Sequence, residues 1–571
     1  MNSIYRMRRR EAIFKINWLL GYTILSTKTI GRAGYFFKTE ILKSTVQRPE
    51  TYFLQEAVNL GLTAIAHRLD STQAFRPFFL IQLSPKPYLE HQIWDLGDMC
   101  ARFTDAFILG RQMTGFTEFE QEEQALRKLL YQSDPYANPF MAGRMLITFV
   151  DIYLQKPNLE NKKRINELVS VIRSKMTFEE DYCYYFKQPE GWKTMNDAVF
   201  GDFTGYPTFP LGGIVLALAR YTETVNDPEC EDLLNHMCRF ILNKSGTFER
   251  DGSYKGHTHS GGILTAAAGI MRWAIRGNDQ EIIDQMKNTF DWTLKYSSSW
   301  GWVPDGLGPD HASCETCSIT DAIHLGLLIA RHIDKSYFGI IERFARNQLL
   351  ENQFRHPEKM LPKTSFPNKN KIEHALNGSW ASWSFPGSLD NCLSVEGCCL
   401  GSGIRGCFLV WDNIVTNDGS TVWVNMAFSR DSPWLEVISH QPYKGKLELK
   451  IHNATTVCVR IPDWVATDKI SIHVNDERYP INLLASNYIK LQRLKPGDSV
   501  LIEYPLRMLQ TKEIVSGDTY TVRWRGDTVV SVNPSGEIYP LFQREWMEKE
   551  NVPMQLSIPY QKQLGGLVHW Y

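Results

Sequence analysis

The sequence of 571 residues has almost no net charge. Its 62 Lys and Arg residues are balanced by 63 Asp and Glu residues, which gives a formal charge of −1 at pH 7. Proteins that bind nucleic acids normally carry a basic excess, so this balance argues against a nucleic-acid partner. Hydrophobic residues make up 43% of the chain and charged residues 22%. This composition excludes intrinsic disorder and predicts a large buried core.

Long apolar runs are also absent. No stretch reaches the roughly 18 uninterrupted apolar residues of a membrane-spanning helix. The segment 13–25 is moderately apolar, but Lys15, Asn17 and Tyr22 interrupt it and no obvious cleavage site follows. We interpret this segment as an amphipathic first helix and not as a secretory signal, and we expect no membrane partner.

Several common catalytic motifs are missing. The sequence has no Walker loop, no G-x-G-x-x-G after a strand and no G-x-S-x-G elbow, so nothing supports phosphate or dinucleotide binding or a serine hydrolase site. It also has no repeat of fixed period, which argues against a repeat array.

The spacing of apolar residues along the chain changes near residue 408. Before that point, apolar residues recur at helical spacing in segments joined by short Gly/Pro breaks, which favours helical hairpins arranged as a toroid. These segments include 140–155, 162–177, 211–224, 229–243, 260–276, 279–296, 319–333 and 335–352. After it, residues such as 446–451 and 520–524 alternate in the manner of strands, which predicts an antiparallel β-sandwich. We therefore expect a helical domain over 1–407 and a sandwich domain over 408–571.

The eleven cysteines do not form a disulfide framework. Their number is odd, and six of them fall between Cys314 and Cys407. The adjacent residues Cys398 and Cys399 are poor candidates for a disulfide because bridging neighbours strains the backbone. Clustered free thiols are typical of a reducing compartment, so we predict a cytoplasmic protein.

The strongest local signal is the motif Cys314-Glu315-Thr316-Cys317, with Cys398-Cys399 about 80 residues later. Zinc takes thiolate, imidazole and carboxylate ligands, usually four in a tetrahedron. Glu315 and Cys317 converge only from a loop or turn, since positions i and i+2 diverge on a regular helix. The motif predicts either a metal site or a group of buried structural thiols.

Two polar loops lie near this motif in the sequence. The first, 256–262, places His257 and His259 before a helix of small residues, where they serve as ligands, as substrate contacts or simply as a capped helix start. The second, 299–311, carries Trp302, Asp305 and Asp310. Sugar sites combine aromatic faces with carboxyl groups, whereas an ordinary Pro/Gly surface loop is the alternative.

Taken in order, these motifs resemble glycoside hydrolase family 127, the β-L-arabinofuranosidases. The resemblance covers roughly 255–530. Its markers are Gly256-His257, the Cys-Glu-Thr-Cys motif and Cys398-Cys399, followed by Val459-Arg460-Ile461-Pro462-Asp463-Trp464, Val474-Asn475, Leu494-Lys495-Pro496-Gly497-Asp498 and Tyr504-Pro505-Leu506.

The resemblance implies a mainly α chain with a C-terminal all-β part, an (α/α)6 barrel followed by an antiparallel β-sandwich. It implies zinc as the cofactor, held by Glu315, Cys317, Cys398 and Cys399. It also implies that Cys398 is the nucleophile and that His257 contacts the sugar. We expect His259, Trp302 and Asp310 to contact the substrate as well.

The chain departs from the family pattern at the general acid. Family members usually carry a Glu about sixteen residues before the zinc-binding Glu, whereas Ser299 stands there in this chain and loop 299–311 has no Glu. We predict that Asp305 takes this role, with Asp310 as the second choice.

These features predict a retaining exo-glycoside hydrolase that removes a terminal β-L-arabinofuranosyl or related furanosyl residue. The expected partner is a small oligosaccharide or glycoside substrate, and a homodimer is left open. Two alternatives remain: a polysaccharide lyase of the same architecture, and a non-catalytic carbohydrate-binding protein with structural zinc.

Overall fold

The computed structural model describes residues 46–49, 54–134, 139–184, 208–254, 259–306, 313–548 and 554–557. Three predictions lie outside these residues: the amphipathic helix near 13–25, the sugar contact at His257 and the role of Asp310.

The described residues contain thirteen α-helices. They are α1 (Leu54–His67), α2 (Cys100–Thr114), α3 (Glu120–Gln132), α4 (Pro139–Gln155), α5 (Leu159–Ser174), α6 (Thr208–Thr224), α7 (Pro228–Asn243), α8 (Ser260–Gly277), α9 (Gln280–Leu294), α10 (Thr316–His332), α11 (Tyr337–Phe344), α12 (Lys369–Leu376) and α13 (Gly397–Ile414). Most of the helical segments expected from the sequence are found within about three residues of these bounds. None of the helices in the described ranges combines the length and apolar character that a membrane crossing requires.

Six of these described helices form a closed inner ring. Helices α2, α4, α6, α8, α10 and α13 pack against one another in that order, and α13 closes the ring on α2. An outer helix packs against each inner one: α3 on α2, α5 on α4, α7 on α6, α9 on α8, α11 on α10 and α1 on α13. This alternation is an (α/α)6 barrel and confirms the predicted helical architecture.

Residue patterns explain which helices lie inside. Every residue of α13, and every residue of α10 up to Ala330, is buried, as expected for helices that are surrounded on all sides. Outer helix α9 instead buries one stripe that includes Ile283, Met286 and Phe290. Positions i, i+3 and i+7 lie on one face of a helix, so α9 is amphipathic and covers the ring from outside.

The strands lie mainly in the C-terminal part of the chain. They are β1 (Val46–Pro49), β2 (Leu69–Asp70), β3 (Arg76–Pro77), β4 (Leu80–Gln82), β5 (Tyr88–Glu90), β6 (Thr177–Phe178), β7 (Cys183–Tyr184), β8 (Ser394–Glu396), β9 (Val415–Asn417), β10 (Val422–Val424), β11 (Arg430–Asp431), β12 (Leu435–Ser439), β13 (Gly445–Ile451), β14 (Thr456–Arg460), β15 (Ser471–Val474), β16 (Glu477–Arg478), β17 (Tyr488–Gln492), β18 (Ser499–Tyr504), β19 (Met508–Val515), β20 (Asp518–Arg525), β21 (Thr528–Asn533) and β22 (Met554–Ser557).

Two larger sheets form the predicted sandwich region. One has six strands in the order β11-β12-β13-β18-β15-β16, and the other has four in the order β17-β14-β10-β9. Side chains of both sheets belong to one hydrophobic core. One pair, β10 with β14, is parallel, which differs from the expected all-antiparallel pattern. The chain passes through β11–β13 of the other sheet between these strands, and such a crossover allows a parallel return.

The change from helix to sheet falls at the end of α13. This helix continues to Ile414 and strand β9 begins at Val415. Position 407, the predicted end of the helical domain, therefore lies within α13, and the division into domains at 407/408 stays a prediction.

A small sheet fixes the start of α13. Strand β8 pairs with β4, and the backbone N–H of Gly397 donates to the carbonyl of Phe79 at 2.7 Å. The fully buried guanidinium of Arg68 donates to the carbonyls of Phe79 and Val395. These bonds hold the first turn of α13, which carries Cys398 and Cys399, in one orientation.

Candidate metal and active site

The N-termini of two neighbouring inner helices bring the predicted metal ligands together. Glu315 precedes α10 with an extended backbone (φ −98°, ψ 140°), and Cys317 lies in the first turn of that helix. Cys398 and Cys399 lie in the first turn of α13. Because Glu315 stands outside the regular helix, its carboxylate converges with the thiol two residues later, as the spacing requires.

The four ligand atoms have the spacing of a tetrahedral metal site. All of them lie within 4.8 Å of one another. The Cys399 sulfur lies 3.9 Å from those of both Cys317 and Cys398, and Oε1 of Glu315 lies 3.2 Å and 3.6 Å from Cys399 and Cys398. Tetrahedral zinc with Zn–S bonds of about 2.3 Å separates its sulfurs by about 3.8 Å and a sulfur from an oxygen ligand by about 3.6 Å. The cluster therefore fits one ion.

The protonation of the cluster also suits a cation. Burial and the neighbouring Cys317 raise the pKa of Glu315, and burial raises the pKa of Cys399. Hydrogen bonds donated by Cys398 and Cys399 lower the pKa of Cys317. Without a bound metal ion, only some of these four groups are therefore ionised, because buried like charges repel one another. A divalent cation removes this penalty and binds all four donors in their charged forms.

The cluster forms one wall of a cavity of about 300 Å³, a size at the lower end of small-molecule sites. Its aromatic lining comes from Phe79, Trp94, Phe140 and Trp383, and its titratable lining comes from Asp98, Arg102, Arg144, His259, Asp305, Glu315, Cys317, Asp321, Glu396 and Cys398. Cys398 reaches the cavity with 8% of its surface exposed, whereas Cys399 is 0% exposed. Of the adjacent pair, Cys398 is therefore the thiol that a bound molecule meets.

His259 and Asp305 lie beside the cluster. Nδ1 of His259 is 3.3 Å from Oε2 of Glu315 and 3.8 Å from Oδ1 of Asp305. Burial lowers the pKa of His259, but the carboxylates of Asp305 and Glu315 outweigh it and raise this pKa to about 10. Asp305 is held by its backbone, whose N–H donates to Ser313 and whose carbonyl accepts from Ser260.

Trp302 does not take the predicted position on the cavity wall. It is fully buried, and its indole N–H donates to the carbonyl of Ser384 at 2.9 Å. The structure thus differs from the expected substrate contact, because Trp302 is not among the residues that line the cavity. An aromatic residue on a Pro/Gly loop suggests a sugar platform, but this ring is buried.

Sequence reasoning missed several residues of the cavity. Glu396 precedes α13, and its Oε2 lies 3.5 Å from the Cys398 sulfur; burial raises its pKa. A signal for it existed, because Glu396-Gly397-Cys398 repeats the Glu-x-Cys spacing of Glu315-Thr316-Cys317. Arg102 and Arg144 come from α2 and α4, and no sequence pattern marks them as neighbours of the cysteines.

No protein-family model matches this chain, and no curated protein sequence is significantly similar to it. Solved structures do resemble it. A glycoside hydrolase superposes with a TM-score of 0.55 at 11% identity, over 85% of this chain and 81% of its own. A family 127 β-L-arabinofuranosidase from Geobacillus stearothermophilus T6 gives 0.53 at 15% identity, over 83% and 80%.

A further family 127 β-arabinofuranosidase superposes with a TM-score of 0.57 at 12% identity, over 86% of this chain and 84% of its own. This chain has the fold of family 127. The resemblance predicted from the ordered motifs is therefore confirmed for the architecture, from the helical barrel through the sheets.

Proposed function

We propose that this protein is a retaining exo-glycoside hydrolase that removes a terminal β-L-arabinofuranosyl or related furanosyl residue. One observation carries the proposal: the thiol of Cys398 belongs to a four-donor cluster that could hold a metal and also lines a cavity of about 300 Å³, large enough for a sugar. A metal site that only stabilises the fold does not require a metal-binding side chain that is exposed to a pocket. The solved structures of the same fold that are named as arabinofuranosidases support the substrate class.

Zinc is the metal proposed for the site. Three thiols and one carboxylate are a donor set that zinc accepts, and thiolate ligands disfavour magnesium and calcium. Glu315, Cys317, Cys398 and Cys399 would hold the ion. When bound, zinc keeps its sulfur ligands deprotonated at neutral pH.

The residues of the chain then carry out a double-displacement reaction. The Cys398 thiolate attacks the anomeric carbon while the bond from that carbon to the leaving oxygen breaks, and a carboxyl group gives its proton to the leaving oxygen. Water next attacks the anomeric carbon of the thioglycosyl intermediate. The same carboxylate takes the proton of this water, and Cys398 departs as the thiolate. Two inversions give net retention.

Two carboxyl groups on the cavity wall compete for the role of proton donor. Glu396 lies 3.5 Å from the nucleophilic sulfur, closer than the roughly 5–5.5 Å that separates the two groups of a retaining site. Asp305 lines the cavity, and its buried Oδ1 accepts no hydrogen bond within the described structure. We therefore propose Asp305 as the acid and base, and Glu396 as a partner of Cys398 and of a sugar hydroxyl.

The direct test uses 4-nitrophenyl furanosides of both anomeric configurations. We expect release of nitrophenol from the β-L-arabinofuranoside, and a first sugar product that retains the anomeric configuration when followed by proton NMR. Inverted product would refute the thioglycosyl intermediate. An ultraviolet-absorbing unsaturated sugar from a polymeric substrate would instead assign the protein to the lyases.

The proton donor is tested by pairing variants with two leaving groups. For Asp305→Asn we expect kcat/KM to fall by about 10²- to 10⁴-fold on a methyl furanoside and by far less on a 2,4-dinitrophenyl furanoside. The reason is that dinitrophenolate leaves without protonation. For Glu396→Gln we expect similar losses on both substrates. The reverse pattern would transfer the role to Glu396.

A further inference from the structure

Two of the three thiols in the metal cluster line the cavity. Cys317 and Cys398 are 7% and 8% exposed, whereas Cys399 is 0% exposed and is not part of the cavity wall. With zinc bound, all three sulfurs are thiolates at neutral pH. The cavity then presents two thiolates to a sugar. Exposure and metal binding therefore do not determine which of the two sulfurs attacks.

A hydroxyl group distinguishes the two sulfurs. Ser402 lies in the second turn of α13, and its Oγ is 3.2 Å from the sulfur of Cys317. The Cys398 sulfur has carboxylate and thiol groups as its hydrogen-bond partners in the described structure. No alcohol hydroxyl or N–H group of the described residues donates to it. Of the two thiolates on the cavity wall, Cys317 alone is therefore next to a hydroxyl donor of the described chain.

An arginine orients this hydroxyl toward Cys317. Nη1 of Arg102 on α2 donates to Oγ of Ser402 at 3.1 Å, and Nε of Arg102 donates to Asp98 at 2.8 Å. Because an arginine has no acceptor atom, the hydroxyl accepts from Arg102 and keeps its own hydrogen for another group. The Cys317 sulfur is the one acceptor at hydrogen-bond distance from this Oγ among the described contacts. Asp98, Arg102 and Ser402 are all buried, and a hydrogen bond in such surroundings is stronger than in water.

The charges of nearby arginines do not make the same distinction. Cys317 and Cys398 are both among the main charges that act on Arg102. Arg68 lies near Cys398 and Cys399 in the same sense. A zinc ion with three thiolates and one carboxylate forms an anionic cluster, and two buried arginines counter that charge as a whole. The hydrogen bond from Ser402 is instead specific for one sulfur.

We infer that Ser402 and Arg102 select the nucleophile: their hydrogen bond to Cys317 keeps that sulfur as a permanent metal ligand and leaves Cys398 as the thiolate that attacks the sugar. A hydrogen bond to a thiolate engages its lone-pair density and lowers its nucleophilicity, in the way that groups around a metal site tune its ligands. This inference rests on the proposed function for the bound metal and the attacking sulfur. Ser402 and Arg102 are positioning residues, because they act through Cys317.

The test measures which sulfur an alkylating agent modifies. The zinc-loaded full chain is treated with iodoacetamide to low conversion, and peptide mass spectrometry gives the ratio of label at Cys317 to label at Cys398. We expect the wild-type chain to be labelled almost entirely at Cys398. Ser402→Ala removes the hydroxyl without adding volume. It should raise the Cys317 to Cys398 ratio by about 10-fold or more, the effect of losing a hydrogen bond to a charged group.

A second readout requires neither alkylation nor turnover. Cobalt(II) is loaded in place of zinc, and the absorption band that arises from charge transfer between thiolate and cobalt reports the electron density on the sulfurs. Loss of a hydrogen bond to one thiolate should move this band to lower energy in Ser402→Ala. Ser402→Thr keeps a hydroxyl and should keep both the wild-type spectrum and the wild-type labelling ratio.

The control is Ser379→Ala, which removes another buried hydroxyl, one that donates to the carbonyl of Ala375 on α12 at 2.7 Å. It should leave the ratio and the spectrum unchanged. Circular dichroism and zinc content confirm that each variant is folded and loaded. A wild-type ratio or an unchanged cobalt spectrum in Ser402→Ala would overturn the inference. So would equal labelling of both sulfurs in the wild-type chain, or the same change in Ser402→Thr as in Ser402→Ala.

The two proposals fail separately. A protein that cleaves the 4-nitrophenyl furanoside through Cys398 but shows the same labelling ratio with and without the Ser402 hydroxyl keeps the proposed function and loses this inference. A protein whose labelling and cobalt spectrum depend on the Ser402 hydroxyl but which cleaves no furanoside keeps the distinction between the two thiolates and loses the proposed function.

Discussion

Replacing Cys398 by serine is expected to lower kcat/KM on a furanoside by three orders of magnitude or more, on the order of the losses seen when a nucleophile is removed. The serine hydroxyl stays protonated at neutral pH, so it is a far weaker nucleophile than the Cys398 thiolate. Initial rates with the 4-nitrophenyl furanoside that the wild-type chain cleaves measure the effect.

The matched control is Cys458→Ser, the same change at a buried thiol of strand β14, which should retain nearly full activity. Equal activity of the two variants would refute the assignment of the nucleophile. Because Cys398 is also a metal ligand, a second measurement separates the two roles. A bromoacetyl furanosylamine should alkylate Cys398 in the wild-type chain, and peptide mass spectrometry locates the label.

Removing Cys399 is expected to release the metal and destabilise the barrel. Cys399 is fully buried between Cys317, Cys398 and Glu315, so Cys399→Ala leaves three close acidic groups without a complete site. We expect a loss of about 3 kcal/mol or more in the free energy of unfolding. In a chain of this size that corresponds to a fall of about 2–3 °C or more in the melting temperature.

Cys238→Ala provides the comparison, because Cys238 is equally buried on outer helix α7. It removes the same sulfur from the core but no metal ligand, so its effect is that of a small cavity alone. Chelation of the wild-type chain should reproduce the Cys399→Ala effect and leave the melting temperature of Cys399→Ala itself unchanged. A similar stability for both alanine variants would contradict a metal-dependent fold.

The sequence predicts most of the architecture because the period of the apolar residues changes along the chain. The helical spacing before residue 408 and the alternation after it are local patterns, and the fold contains the helices and strands that they predict. The parallel pairing of β10 with β14 is not local. It depends on which sheet receives β11–β13 after the chain leaves β10, and no residue pattern in Val422–Val424 encodes that choice.

The candidate site likewise has residues that the sequence predicts and residues that it does not. The family resemblance marks Glu315, Cys317, Cys398 and Cys399 as metal ligands, whereas the residue spacing alone also allows a group of buried structural thiols. Arg144 is the one arginine of the largely apolar segment Pro139–Gln155, which also contains Asp151, and an arginine in such a segment usually keeps its charged end in water. Its place on the cavity wall follows only from closure of the six-helix ring.

The central claim is that one metal ion occupies the Glu315, Cys317, Cys398 and Cys399 cluster. Elemental analysis by mass spectrometry of the chain purified without added metal tests it most directly. We expect about one zinc per wild-type chain and per Cys238→Ala chain, and almost none in Cys399→Ala. A metal-free wild-type chain that still cleaves furanosides, or full zinc content in Cys399→Ala, would contradict it.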